Sequence, residues 1–160
     1  MGVFYDYYRA VSRQAAMESL AVVPPFDAVE AKGIDPIVVL GQLVALAREI
    51  PYGPDLVWTA TVHPPPEGAP ATIEEWEALA EDSPYKEGPG IEELPADVRD
   101  TLAGIPEGRL GELAERWGRI EEFAGFPPAD GFLPQVLTEL RDLAQRAQQE
   151  DEMIYCRICF

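Results

Sequence analysis

The strongest constraint on the fold of this chain is the pattern of its last seven residues, 154–160. Their sequence, Ile-Tyr-Cys-Arg-Ile-Cys-Phe, alternates between two sets of side chains, and in a β-strand two such sets face opposite sides of the sheet. A strand this apolar must be paired and covered, because an exposed edge of this kind promotes aggregation. Residues 3–8 are aromatic and β-prone. We therefore expect the two ends of the chain to pair as strands in one small sheet.

The same terminal segment contains a C-x-x-C pattern, formed by Cys156 and Cys159. In redox and metal sites the two sulfurs converge at a helix N-terminus or in a tight knuckle. In a strand, residues three apart point to opposite faces, so these two sulfurs would diverge. The pattern therefore predicts two structural thiols, without a metal or redox role.

Between its terminal strands the chain is predicted to be mostly helical. Helical spacing of apolar residues and capping signals indicate helices at residues 12–22, 35–50, 72–79, 95–103, 106–124 and 133–149. A second inner strand is predicted at residues 56–62, and residues 26–33 and 81–90 are predicted to be loops. With 160 residues, no internal repeat and no clear linker, we expect a single α+β domain over residues 1–160.

Local signals define how these helices begin and end. Ser12 is expected to cap the first helix, which Pro24 and Pro25 would close. Asp35, followed by proline, is expected to begin a broad apolar helix in the core. Thr72 opens a capping box of the form Thr-Ile-Glu-Glu. The helical spacing after it predicts three inward side chains, Ile73, Trp76 and Leu79.

The charge of the chain limits the classes of partner that it can bind. Twenty-nine acidic residues against twelve basic ones give a net charge of −17. This charge opposes binding to nucleic acid and to anionic membrane surfaces, because both require cationic side chains. It favours a basic protein as partner, although an acidic surface also serves solubility alone. With two cysteines, no apolar span and no export signal, the cytoplasm is the expected compartment.

Four residues beside the Pro- and Gly-rich stretches are candidate binding residues. Trp58, Trp76 and Tyr85 are large enough to anchor a partner if loops display them. The alternative for both tryptophans is the core, which their periodic positions favour. His63 is the only histidine in the chain. Histidine-based catalysis would therefore require it, although a position before three prolines is typical of a strand end.

No pattern for a cofactor, a metal or a phosphate is found in the sequence. Carboxylates occur as neighbours, for example Glu74 with Glu75 and Glu92 with Glu93. Paired carboxylates perform acid–base catalysis only when they face each other across a cleft, and adjacent pairs are typical of solvated helix faces. P-loop, dinucleotide-binding and calcium-loop motifs are absent. We therefore predict neither a cofactor nor a metal.

In its plan the chain resembles the YfbM-like family of uncharacterised bacterial proteins. The resemblance rests on the Met-Gly start leading into an aromatic strand, the helix-rich middle and the terminal Met-Ile-Tyr strand. The Lys-x-Trp-His element of that family is replaced here by Lys-Gly-Ile-Asp at residues 32–35. Residues 30–36 also resemble a segment of actinobacterial hypothetical proteins. These resemblances imply a fold but no activity.

Two functions are compatible with the sequence. The first is a small acidic cytoplasmic interaction protein, such as a toxin-neutralising immunity protein or an accessory factor. It is favoured by the acidic charge, the aromatic loop residues and the missing catalytic motifs. The alternative is a small-molecule-binding protein or a hydrolase with its site at the sheet edge near His63.

Overall fold

A five-stranded antiparallel sheet forms the centre of the computed structural model, which describes residues 2–21 and 27–160. Its strands are β1 (Phe4–Ala10), β2 (Val29–Glu30), β3 (Ala60–His63), β4 (Gly90–Glu93) and β5 (Met153–Cys159). The strand order is β2-β1-β5-β4-β3. β1 and β5 pair along their whole length, from Phe4 opposite Cys159 to Ala10 opposite Met153. The predicted pairing of the two chain ends, and the α+β class, are confirmed.

The described part of the chain also contains seven α-helices. They are α1 (Arg13–Met17), α2 (Val39–Arg48), α3 (Ile73–Glu77), α4 (Pro84–Glu87), α5 (Ala96–Ala103), α6 (Leu110–Trp117) and α7 (Phe132–Gln149). The prediction for the last helix is correct to within one residue. The helix predicted at residues 106–124 is shorter, because the chain leaves the helix at Gly118 after α6.

The main core lies between one face of the sheet and four helices, α2, α5, α6 and α7. At its centre the indole of Trp117 is fully buried and donates a hydrogen bond of 2.8 Å to the carbonyl of Val39. Tyr7 enters the same core from β1 and donates to the carbonyl of Ile34 at 2.6 Å. Burial of α2 agrees with its broad apolar surface. Asp35 accepts three backbone hydrogen bonds before α2, whose regular turns begin only at Val39.

The opposite face of the sheet carries a smaller core around Tyr8, Ile91 and Tyr155. Here α1 packs on the strands, and Ser12 caps it as predicted, through a hydrogen bond from the amide of Ala15. Regular α-helix ends at Met17 and a 3-10 turn follows to Ala21. The predicted helix end at Val22 and the closing prolines, Pro24 and Pro25, lie outside the described residues.

One strand, β2, and one helix, α4, lie in segments that were predicted to be loops, and β4 begins at Gly90, the last residue of such a segment. β2 has two residues and α4 has four, which is too short for a periodic pattern. β4 forms directly after a Pro-Gly stretch because its neighbour β5 supplies hydrogen-bond partners. The strand predicted from residue 56 begins only at Ala60, since Val57 turns into the core before it. Among the described helices, none is both long and apolar enough to cross a membrane.

Candidate interaction surface

A long excursion of the chain, residues 64–89, connects β3 to β4. It contains the short helices α3 and α4, and none of its 26 residues belongs to the buried core. Hairpin connections of two to five residues suffice to join antiparallel strands. The excursion is therefore an addition to the fold, and we refer to residues 64–89 as the acidic excursion.

Helix α3 displays its apolar side chains instead of burying them. Thr72 accepts a hydrogen bond of 3.1 Å from the amide of Glu75, and the Glu75 carboxylate accepts one of 2.7 Å from the amide of Ala71. The predicted helix start is therefore confirmed. The prediction of inward side chains is wrong for two residues, because Ile73 is 74% exposed and Trp76 is 49% exposed. The spacing does place them on one side of α3, but that side does not face the core, and Lys86 of α4 contacts Trp76 there.

Lys86 fixes Trp76 at the surface of the acidic excursion. Its ammonium lies 4.9 Å from the centre of the indole ring, a cation–π contact. The same ammonium donates to the carbonyl of Leu79 at 2.9 Å and to Glu81 at 3.2 Å. This side chain, from α4, is largely buried. Lys86 therefore packs against Trp76, which remains 49% exposed.

A hydrogen bond within the acidic excursion positions Tyr85. This tyrosine is half-buried, and its hydroxyl donates a hydrogen bond of 2.6 Å to the carbonyl of Pro65. A Cβ atom at Gly68 would lie 2.4 Å from that hydroxyl, so the absence of a side chain there makes the contact possible. Tyr85 therefore ties the two ends of the acidic excursion together.

The acidic excursion also concentrates negative charge. It contains seven carboxylates and a single basic residue, Lys86, so its net charge is −6, about a third of the −17 of the whole chain. Two of these carboxylates, Glu74 and Glu75, are in the first turn of α3. Their negative charge interacts favourably there with the positive end of the helix dipole. Exposed apolar side chains and a concentration of carboxylates thus occur in the same segment of the chain.

The structure brings some of the predicted site residues together and separates others. Trp76 and Tyr85 belong to the acidic excursion, and His63 precedes it as the last residue of β3. Trp58 is 76% exposed, so the preference for the core is wrong for it, since the main core is filled by Trp117 and its neighbours. It lies before the start of β3, at the opposite end of that strand from the acidic excursion.

No hydrogen bond or ion pair of the His63 side chain with a nucleophile or a carboxylate occurs among the described residues. Its Nδ1 atom is buried without a hydrogen-bond partner there. Three surface clefts, of about 430, 270 and 370 Å³, are formed by other residues. A hydrolase or small-molecule site at the sheet edge near His63 stays a prediction, and the hydrogen bonds of the described residues do not add support for it.

The carboxylate neighbours on β4 do not face each other. Glu93 is on the side of the smaller core, where Arg13 and the hydroxyl of Tyr155 donate to it at 3.0 and 2.9 Å. These contacts, led by the one with Arg13, lower the pKa of Glu93. Glu92 points to the other face and accepts from Thr61 at 2.9 Å. No group of three or more possible metal ligands is found in the described ranges.

The two cysteines lie on opposite faces of β5, as predicted, and neither is in a disulfide bond. Cys156 is completely buried in the main core, and burial raises the pKa of its thiol well above the usual value. Cys159 is partly exposed and lines the largest of the three clefts. The reading of Cys156 as a structural thiol agrees with this environment.

Sequence reasoning missed that cleft, which lies where β1, β2 and the end of β5 meet. It has a volume of about 430 Å³ and includes Asp6, Glu30 and Lys32 in its walls. Asp6 is only 8% exposed, and burial and the nearby Glu30 raise its pKa although Arg157 acts in the opposite direction. The available signal was a single carboxylate within the aromatic run Phe-Tyr-Asp-Tyr-Tyr.

No protein-family model, curated protein or solved structure matches this chain. The resemblance to the YfbM-like family therefore stays a prediction, and function has to be argued from the geometry.

Proposed function

We propose that this chain is a small acidic interaction protein that binds a basic protein through the acidic excursion. The observation that carries the proposal is the exposure of Ile73 and Trp76 among seven carboxylates. Tryptophan is enriched among residues that dominate binding energy. Opposite charge accelerates association and selects the partner.

A basic partner fits this surface better than other classes of ligand. Nucleic acid and anionic lipid would be repelled by the −6 charge of the excursion. A second copy of the chain would carry the same charge and be repelled as well. A toxin-neutralising immunity protein, or an accessory factor, would be an interaction protein of this kind, with an acidic surface that binds a basic protein. The cytoplasm is the compartment we propose, because the two cysteines are free thiols.

The paired change Ile73→Ala and Trp76→Ala should abolish partner binding without unfolding the protein. Neither side chain is in the core, so the cost in stability should be about 1 kcal/mol, most of it from the lost contact between Trp76 and Lys86. Each truncated anchor should weaken binding by roughly tenfold or more. The measurement is a pull-down from the native host at low and high salt, with the retained proteins identified by mass.

Phe126→Ala is the matched control, because this phenylalanine is 92% exposed and lies outside the acidic excursion. The proposal requires a basic protein that is retained by the parent and the control, lost with the paired change and released by salt. Retention of the same proteins by the paired variant would contradict it. So would a partner that is acidic, or one held equally at high salt.

A further inference from the structure

The two edge strands of the sheet, β2 and β3, differ in how well they are protected. Natural sheet edges are kept from pairing with other chains by charged residues, by prolines or by very short strands. β2 has this protection, because it is only two residues long and includes Glu30. The chain along the other edge, residues 56–62, contains neither a charged residue nor a proline. The edge at β3 is therefore the one that another strand can join.

The register shows which backbone groups point outward from this edge. The amide of Leu94 donates to a carbonyl of β5 at 2.9 Å, so the backbone of the preceding residue, Glu93, is directed towards β3. Ala60 lies opposite Glu93 and directs its own amide and carbonyl towards β4. Because peptide groups are planar and trans, the carbonyl of Thr59 and the amide of Thr61 point away from β4. Neither group forms a hydrogen bond with another described residue.

The side chains beside these two groups are open to solvent. Thr61 is exposed, and Trp58, just before β3, is 76% exposed. A tryptophan in such a position is suited to anchor a partner. Beyond Thr61 the register with β4 shifts before His63 is reached, and a bulge of this kind bends the strand. The open part of the edge therefore comprises residues 58–61.

The charges around the open edge favour a basic occupant. The acidic excursion, with its net charge of −6, begins directly after His63, the last residue of β3. On the neighbouring strand the carboxylate of Glu92 accepts a hydrogen bond of 2.9 Å from the side chain of Thr61. Both features attract lysine and arginine side chains. A second copy of this chain, with its net charge of −17, would be repelled.

We propose that an extended segment of the basic partner joins the sheet as an additional strand beside β3. Its backbone bonds to the carbonyl of Thr59 and to the amide of Thr61, and Trp58 packs against it. In this mode of recognition the backbone hydrogen bonds supply affinity and alternate side chains supply specificity. The inference rests on the proposed function, because the acidic excursion brings the same partner to the edge.

Amide hydrogen exchange, followed by NMR, tests the additional strand on the full chain, alone and with the basic partner retained in the pull-down. The Thr61 amide should exchange at least about tenfold more slowly in the complex, because it gains a hydrogen bond. The amide of Ala60 is the reference and should change less, since it faces β4 in the free protein. A bound partner that leaves the exchange of Thr61 unchanged would overturn this inference but not the proposed function. Retention of no basic protein would overturn both.

Two variants of Thr61 separate the backbone contact from the side chain. Thr61→Val and Thr61→Pro both remove the hydroxyl that donates to Glu92, but only proline removes the outward amide, at an edge position where proline is tolerated. Thr61→Pro should weaken partner binding about tenfold or more, and Thr61→Val should leave it nearly unchanged. Equal effects of the two variants would overturn the inference. The exchange measurement on the parent decides the question if Thr61→Pro does not fold.

Discussion

Removal of Met153–Phe160 should abolish cooperative folding. β5 is the middle strand of five, and its loss would separate β2-β1 from β4-β3 and leave β1 and β4 each unpaired along one edge. Ile154, Tyr155 and Cys156 are almost completely buried. Large apolar side chains such as Ile154 contribute about 1.5–3 kcal/mol each on burial, against a typical net stability of about 5–15 kcal/mol.

The measurement is thermal unfolding, followed by circular dichroism, of the full chain and of a chain that ends at Glu152. A chain lacking only Phe160, which is 76% exposed, is the control and should unfold within a few degrees of the parent. A chain ending at Glu152 that remains monomeric and unfolds cooperatively near the parent temperature would disprove the central position of β5.

Trp117→Ala should produce the largest loss of stability of any single tryptophan substitution, about 3–5 kcal/mol. Trp117 has no exposed surface, and its indole N–H donates a hydrogen bond to the carbonyl of Val39. The centre of its ring lies 6.3 Å from the ring centre of Phe123, in an edge-to-face arrangement. Alanine would leave a cavity between α2, α6 and α7. The free energy of unfolding, from denaturant titration, gives the value directly.

Two further variants separate burial from hydrogen bonding. Trp117→Phe keeps most of the volume and removes the hydrogen bond, so it should cost less than alanine. Trp58→Ala removes an exposed ring and should change stability by no more than about 0.5 kcal/mol. Comparable losses for Trp58→Ala and Trp117→Ala would contradict the assignment of the core.

Patterns that extend over many residues predicted this fold well. The alternation of residues 154–160 and the helical repeat before it are long enough to define both the element and its buried face. β2 and α4 could not be predicted, because elements of two and four residues exist only through contacts made by the rest of the fold.

The sequence predicted only part of the candidate surface, because a local pattern does not show which elements pack against each other. Helical spacing correctly placed Ile73 and Trp76 on one side of α3, but spacing cannot reveal whether another element covers that side. Trp117 and Trp76 both have helical periodicity, yet the first is buried and the second is displayed. The cleft lined by Asp6 was missed because it forms only where β1, β2 and β5 come together.

Replacing the acidic excursion with a short Asn-Gly link between His63 and Gly90 would show whether the partner binds through this segment. With Gly90 this link gives a three-residue hairpin loop, and no buried residue is removed. We expect cooperative unfolding within about 5 °C of the parent and complete loss of the basic partner in the same pull-down. A shortened protein that folds and still retains that partner would show that the acidic excursion is not the binding surface.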